Sequence, residues 1–319
     1  MSDEHRQTPA SGMDLARATA FLTNRFGPGV GEVARIGRGE WSQAYAYRHD
    51  GSDYVVRFGH FVDDFLKDRR AAAYASPALP VPTVTEIGEA YDGAYAISER
   101  AFGDFIDGLD GPRMRAGLPS LFAMLDAARE VDLTESSGYG GWGADGTAPY
   151  PTWQAALLAV AGDESAERIQ GWRERLTKSP AGFRAFEEGL ERLHALIDRC
   201  PNDRYLIHSD LLHFNVLVGG DRISAVVDWG CSMYGDFLYD IAWFVFWSPW
   251  YPAWREIDFE REALEHFASI GLELYHVAER LRCYQIQIGL DSLKYNAFMG
   301  RRIELEEVAS QVLALTRAT

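Results

Sequence analysis

Two short runs, Val216-Leu217-Val218 and Ile223-Ser224-Ala225-Val226-Val227, flank the turn Gly219-Gly220-Asp221. Short apolar runs about a Gly-Gly-Asp turn predict a tight antiparallel hairpin. Pairing across it brings Asn215, just before the first strand, and Asp228, just after the second, to the same end. Immediately upstream the chain reads His208-Ser209-Asp210-Leu211-Leu212-His213-Phe214-Asn215, an HxDxxxxN pattern. Three polar residues are thus tied to one hairpin at fixed spacing.

Phosphoryl transfer is the chemistry that asks for such a set, because it needs positioning and charge neutralisation rather than covalent work by the protein. Asp210 is the candidate to accept the proton of a substrate hydroxyl. Asn215 and Asp228 are hard oxygen ligands of the kind that hold Mg²⁺ against nucleotide phosphates. His208 is better suited to bracing the loop. Asp and Asn also occupy ordinary turns beside strands; the fixed spacing, the hairpin and the Asp after an apolar run together argue against that plainer reading.

With 319 residues, 47% of them hydrophobic, the chain can bury a large core in one bilobal unit or two domains, and 24% charged residues argue against global disorder. Cys200, Cys231 and Cys283 lie far apart without a CxxC pair, which predicts neither a disulfide framework nor a zinc site and fits a reducing compartment. Residues 1–12 lack the succession of charge and apolar run that marks a signal peptide, and no apolar stretch approaches the length of a membrane helix. A cytoplasmic protein without a membrane partner is expected, as a monomer or weak dimer. Forty-seven acidic against 31 basic residues give a net charge of −16, which disfavours nucleic acid and suits a small cationic partner, although acidity alone also serves solubility.

The first hundred residues alternate strands with helices. Residues 14–25 carry helical spacing (Leu15, Ala18, Phe21, Leu22) and stop at Gly27-Pro28. A strand at 33–36 precedes Gly37-Arg38-Gly39-Glu40-Trp41-Ser42, a turn whose backbone donors at Gly37, Gly39 and Ser42 can cover phosphates or serve an ordinary β-turn. Residues 43–48 and 54–58 form a hairpin about His49-Asp50-Gly51-Ser52, and 61–75 read as a helix ended by Ser76-Pro77. Strands at 83–88 and 94–100 complete an antiparallel sheet of about five strands with one packed helix. From Pro112 onward the pattern is mostly helical, broken by the glycine-rich stretch 137–143. The expected class is α+β, with a nucleotide-binding lobe at 1–100 and a helical, acceptor-binding lobe at 101–319.

These residues resemble the aminoglycoside phosphotransferase family, whose bilobal fold is similar to that of protein kinases. The resemblance rests on residues 37–47, on Tyr54-Val55-Val56-Arg57, and on Phe65-Leu66-Lys67-Asp68-Arg69 leading into Ala78-Leu79-Pro80-Val81-Pro82. It rests further on Ser136-Ser137-Gly138-Tyr139-Gly140 before Thr152-Trp153, and on the HxDxxxxN segment. Tyr234-Gly235-Asp236, Phe246-Trp247-Ser248-Pro249-Trp250 and Ile288-Gly289-Leu290-Asp291 extend it over about residues 13 to 297 and turn it toward the members that modify hygromycin B. It implies Mg²⁺-dependent transfer from ATP (or GTP) to a hydroxyl of a cationic aminoglycoside or aminocyclitol, hygromycin B first, and so antibiotic resistance. Asp210 matches the family's catalytic Asp, and Asn215 and Asp228 match its two Mg²⁺ ligands. The family usually places on the third strand a lysine that holds the α and β phosphates and pairs with an acidic residue of the next helix. Arg57 stands there, with Asp68 as partner or, after a slip of alignment, Asp63 or Asp64. Arginine keeps the charge but presents a wider, planar fork. Glu99 and Ala101 match the segment that reads adenine through main-chain groups.

The acceptor side is less determined. Asp236 is placed to cap the helix that follows it or to bind a sugar ammonium, and Asp240, one turn later, resembles a position that supports the catalytic loop. Asp291, beside Ile288 and Leu290, is a second substrate candidate or an exposed helical carboxylate. Trp243, Phe246, Trp247 and Trp250 recur at three, four and three residues, which predicts a core-facing stripe. Pro249 ends that helix and leaves 250–254 in a loop, where Trp250 can stack on a sugar. The same motif on this fold also serves kinases of choline, homoserine and macrolides, and a nucleotide-binding protein without turnover would account for Arg57.

Overall fold

The computed structural model describes residues 13–163 and 168–317; the stretch 1–12, read above for a signal peptide, lies outside the described residues. The chain divides into two compact units, Met1–Phe105 with Asn215–Cys231, and Ile106–Phe214 with Ser232–Thr319.

In the first unit, α1 (Leu15–Phe26) starts where Asp14 accepts the Arg17 N–H at 2.8 Å and ends at Gly27 with φ 80°. It leads into β1 (Gly31–Arg38), β2 (Ser42–His49) and β3 (Ser52–Gly59), then α2 (Val62–Ala72), β4 (Val84–Ala90) and β5 (Gly93–Glu99). The turn between β2 and β3 carries Asp50 and Gly51 at φ 49° and 80°, the pair of left-handed residues that a two-residue hairpin turn demands. The five strands form one antiparallel sheet in the order β1-β2-β3-β5-β4. Strand alternation gives this sheet two apolar faces. Tyr95 and Ile97 of β5, with Tyr45, Tyr47, Val56 and Phe58, pack against Ala18 and Leu22 of α1, while Ala94 and Ala96 pack with Phe65 of α2. A second helix therefore packs on the sheet beyond the one expected.

After β5 the chain enters β6 (Asp104–Phe105), which pairs with strand Val216–Gly219, itself paired with Arg222–Val226. The predicted hairpin thus supplies two of the three strands of a second small sheet within the first unit. Gly103, at φ 151°, precedes β6 because a Cβ there would lie 2.7 Å from Ser224 Oγ and 2.8 Å from Val218 O.

The second unit is largely helical. Helix Val277–Met299 packs against Pro180–Leu196, Leu238–Trp247 and Arg302–Arg317 and is buried along most of its length. Gly289 permits the close approach of the last of these, since a Cβ would lie 2.4 Å from Val312 Cγ2. The glycine-rich stretch is part of the scaffold: Gly140–Gly141 pairs with Met233–Gly235, which pairs in turn with Tyr205–Ile207. Tyr205–Ile207 runs directly into His208. Among the described residues no helix is long and apolar enough to cross a membrane.

Candidate active site

In the first unit the sheet and hairpin display a set of charged groups. Arg57 on β3 forms an ion pair with Asp68 of α2, places Nη1 3.7 Å from Asp228 Oδ1, and lies over the Phe65 ring. Of the three acidic candidates on α2, Asp68 is the partner. Its Oδ1 also accepts the Trp229 N–H at 2.8 Å, and the neighbouring Lys67 donates to Gly230 O at 2.7 Å. Two consecutive side chains of α2 thereby hold the turn that follows Asp228. Asp228 itself is half-exposed and has φ 62°, a left-handed conformation that needs such support. Val227 N–H donates to Asn215 O at 2.9 Å, so Asn215 and Asp228 share the open end of the hairpin.

Gly37 and Arg38 lie within β1, paired with Ala44 and Gln43. The turn expected from Gly37 is shorter than that, running from Gly39 to Ser42 and closed by Gly39 N–H to Ser42 O at 2.9 Å. A pocket of about 340 Å³ is walled by Pro80, Val81 and Pro82 and bordered by Glu99, Ala101 and Ser224. It holds both residues expected at a nucleobase.

In the second unit the segment from His208 to Phe214 is held from two sides. The buried Asp240 carboxylate accepts the N–H groups of His208 (2.9 Å) and Ser209 (2.8 Å). Burial raises the Asp240 carboxyl to about 7, the two N–H bonds act in the opposite sense, and the charge of Asp210 adds to the rise. His208 is buried, and its Nδ1 faces the Asp210 N–H at 3.3 Å, a bracing position. Asp210 Oδ1 lies 2.8 Å from His213 Nδ1. On the other side Asp107 accepts the backbone N–H groups of His213 and Phe214 at 2.7 and 2.9 Å and the hydroxyl of Tyr251 at 2.8 Å. Burial acts to lower the half-exposed His213, but the hydrogen bond and charge of Asp210, with the charge of Asp107, outweigh it and raise the group. Ser209, His213 and Phe214 all have positive φ. Asp107 escaped the sequence reading because no periodicity or motif marks it.

Of the three expected acceptor residues, Asp236 alone lies in the core. Asp236 is completely buried, its oxygens taken by the Arg280 guanidinium (2.7 and 2.8 Å), the Tyr284 hydroxyl and the Leu238 N–H, so it forms a core ion pair; the N-cap of the following helix, which the sequence suggested for Asp236, is Phe237. Asp291 is an exposed carboxylate, 61% accessible, 3.9 Å from Lys294 Nζ. Trp250 sits in the turn Ser248–Trp250, its indole N–H donating to Glu307 at 3.0 Å. The expected core stripe is shifted: Phe244, Phe246 and Trp254 are buried, whereas Trp243 and Trp247 are half-buried and meet the His213 ring edge-on.

A sequence profile described as a phosphotransferase enzyme family matches residues 32–280. Hygromycin-B 4-O-kinase of Escherichia coli is 33% identical over 277 residues, covering 86% of this chain and 76% of that protein. Aminoglycoside phosphotransferase APH(4)-Ia superposes with a TM-score of 0.83 at 30% identity, over 95% of this chain and 99% of that one. A thermostable mutant of the same enzyme, in ternary complex with AMP-PNP and hygromycin B, gives 0.82 at 31% identity over 93% and 97%. Spectinomycin phosphotransferase APH(9)-Ia, 13% identical over 96% and 98%, shares the fold at a TM-score of 0.61. Fold and sequence together define a kinase-like phosphotransferase. The chain belongs to the phosphotransferase enzyme family that includes the aminoglycoside phosphotransferases.

Proposed function

We propose that the protein transfers the γ-phosphoryl group of ATP to a hydroxyl of an aminoglycoside or aminocyclitol, with hygromycin B as the first acceptor, and so confers resistance to it. One observation carries the reading: the HxDxxxxN segment and its hairpin are intact and held by Asp240 and Asp68 in a chain one-third identical to hygromycin-B 4-O-kinase. In this reading Asp210 orients the acceptor hydroxyl and takes its proton as the oxygen attacks phosphorus. Arg57, turned toward Asp228 and anchored by Asp68, neutralises the α and β phosphates, and the turn from Gly39 to Ser42 covers them. The pocket at Glu99 and Ala101 receives the nucleobase.

Asn215 and Asp228 offer the hard oxygen donors that suit Mg²⁺, which takes few protein ligands beside phosphates and water. When bound, the ion supplies charge that offsets the build-up on the phosphates. We place the protein in the cytoplasm, where ATP, its phosphoryl donor in this reading, is found. Asp291 and Trp250 remain the proposed acceptor contacts.

The test is Mg²⁺-dependent nucleotide turnover with hygromycin B, kanamycin, choline, homoserine and a macrolide, followed by mass spectrometry of the products. One added phosphate on hygromycin B, absent with Asp210→Ala, supports the reading. Transfer to choline or homoserine alone would overturn the acceptor class, and turnover by Asp210→Ala would overturn the mechanism.

A further inference from the structure

We propose that His213, held by Asp107, is the positioning residue for Asp210, an inference that rests on the phosphotransferase reading above. A carboxylate on a single methylene rotates readily, so its use as a directed proton acceptor requires something to fix its plane. In this loop the fixing group is a histidine three residues on. His213 and Phe214 adopt φ 62° and 71°, two consecutive left-handed residues that fold the chain back and bring the imidazole to Asp210, Nδ1 to Oδ1 at 2.8 Å. A carboxylate only accepts, so Nδ1 is the protonated nitrogen in this contact.

Neither of these left-handed residues is glycine, and each such conformation is unfavourable for an L-residue with a Cβ. Asp107 holds the pair by accepting both N–H groups, from a short turn, Ile106–Gly108. Asp107 is itself fixed. Tyr251 donates to it and stacks at 4.2 Å on Trp254, whose indole N–H donates to Leu109 O at 2.9 Å, and Trp254 is buried. The imidazole is seated edge-on against Trp247 (5.3 Å) and Trp243 (6.0 Å), planes 80° and 84° apart. Backbone, ring and carboxylate are therefore determined in sequence from Asp107 to Asp210. Phenylalanine would pack against the two tryptophans equally well; the donor at Nδ1 is what a histidine adds.

Three variants separate the donor from the backbone. His213→Gly accommodates the left-handed φ but removes the donor, and His213→Asn accommodates that φ and restores an N–H donor. Asp107→Asn retains shape but leaves one of the two backbone N–H groups without its acceptor. We expect His213→Gly to lower kcat about ten- to a hundredfold, as a misplaced catalytic group does, with KM for both substrates within about threefold. His213→Asn should recover to within about threefold of the parent, and Asp107→Asn should lower kcat in the same direction. Independently of turnover, ¹⁵N spectra of the parent at alkaline pH should show the Nδ1–H tautomer of His213, lost in Asp210→Ala. A His213→Gly enzyme with parental kcat, no recovery in His213→Asn, or an Nε2–H tautomer overturns the proposal. If Asp210→Ala still turns over, the mechanism above falls, while the tautomer still decides whether His213 holds Asp210.

Discussion

Removing the Asp68 carboxylate isolates what it does for the turn after Asp228. Asp68→Ala leaves Arg57 without its ion-pair partner and the Trp229 N–H without an acceptor, both at poorly accessible positions. Breaking a buried pair from one side costs about 3–5 kcal/mol. Here Arg57 can turn to Asp228, 3.7 Å away and half-exposed, which reduces that share to about 2 kcal/mol. The stranded N–H adds about 1–2 kcal/mol. The sum is about 3–4 kcal/mol for Asp68→Ala, against about 2 kcal/mol for Asp68→Asn, whose amide oxygen can still accept from Trp229. Urea unfolding with unchanged m-values measures both, and hydrogen exchange at the Trp229 amide reports the local part, protected in Asp68→Asn and exposed in Asp68→Ala. Arg57 drawn onto Asp228 should also weaken binding of the Mg²⁺-nucleotide in both variants. A loss below about 1 kcal/mol in Asp68→Ala, or equal losses in the two variants, refutes this account of the pair.

Asp228→Ala should abolish Mg²⁺-dependent tightening of nucleotide binding while leaving metal-free nucleotide affinity within about threefold, and calorimetry with and without EDTA checks it. Asp240, raised to about 7, keeps its proton in the folded chain where the unfolded chain has released it near 3.8; stability carried by that proton is full at low pH and disappears as pH rises through 7. On the order of 3 kcal/mol should be lost between pH 5 and 8 relative to Asp240→Asn, and parallel unfolding profiles of the two proteins would count against it. Gly138→Ala should cost more than about 3 kcal/mol, because at φ 73° a Cβ would lie 2.0 Å from Ala148 O; an unshifted thermal midpoint would show that the segment rearranges freely.

Elements whose cause is local were legible in the sequence. Asp14 and Gly27 mark the ends of α1, Asp50-Gly51 marks a hairpin, and the strands of the first sheet follow from alternation. The hairpin at 216–226 and its polar ends were equally readable, because spacing alone carries them. What escaped depends on contacts between distant residues. Asp236 looks like any exposed helix cap until Arg280 and Tyr284, from a helix some forty residues later, close over it. Asp107 acquires meaning only from His213, Phe214 and Tyr251. The aromatic periodicity from 243 to 250 indicated a helix face, but of its four members only Phe246 is buried, together with Phe244 from outside the stripe.

The pairing of β6 with strand Val216–Gly219 bears on how the polypeptide can be made and divided. Phe105 meets Leu217 only after the chain has run through about a hundred intervening residues of the other unit. Synthesis up to residue 105 therefore yields a complete five-stranded sheet followed by β6, which has nothing yet to pair with, and the small sheet closes only once the segment to Val226 has emerged. A gene fragment ending at residue 105 would encode an exposed strand edge; joining 215–231 to it through a short linker would give the smallest piece in which every strand of that unit is paired.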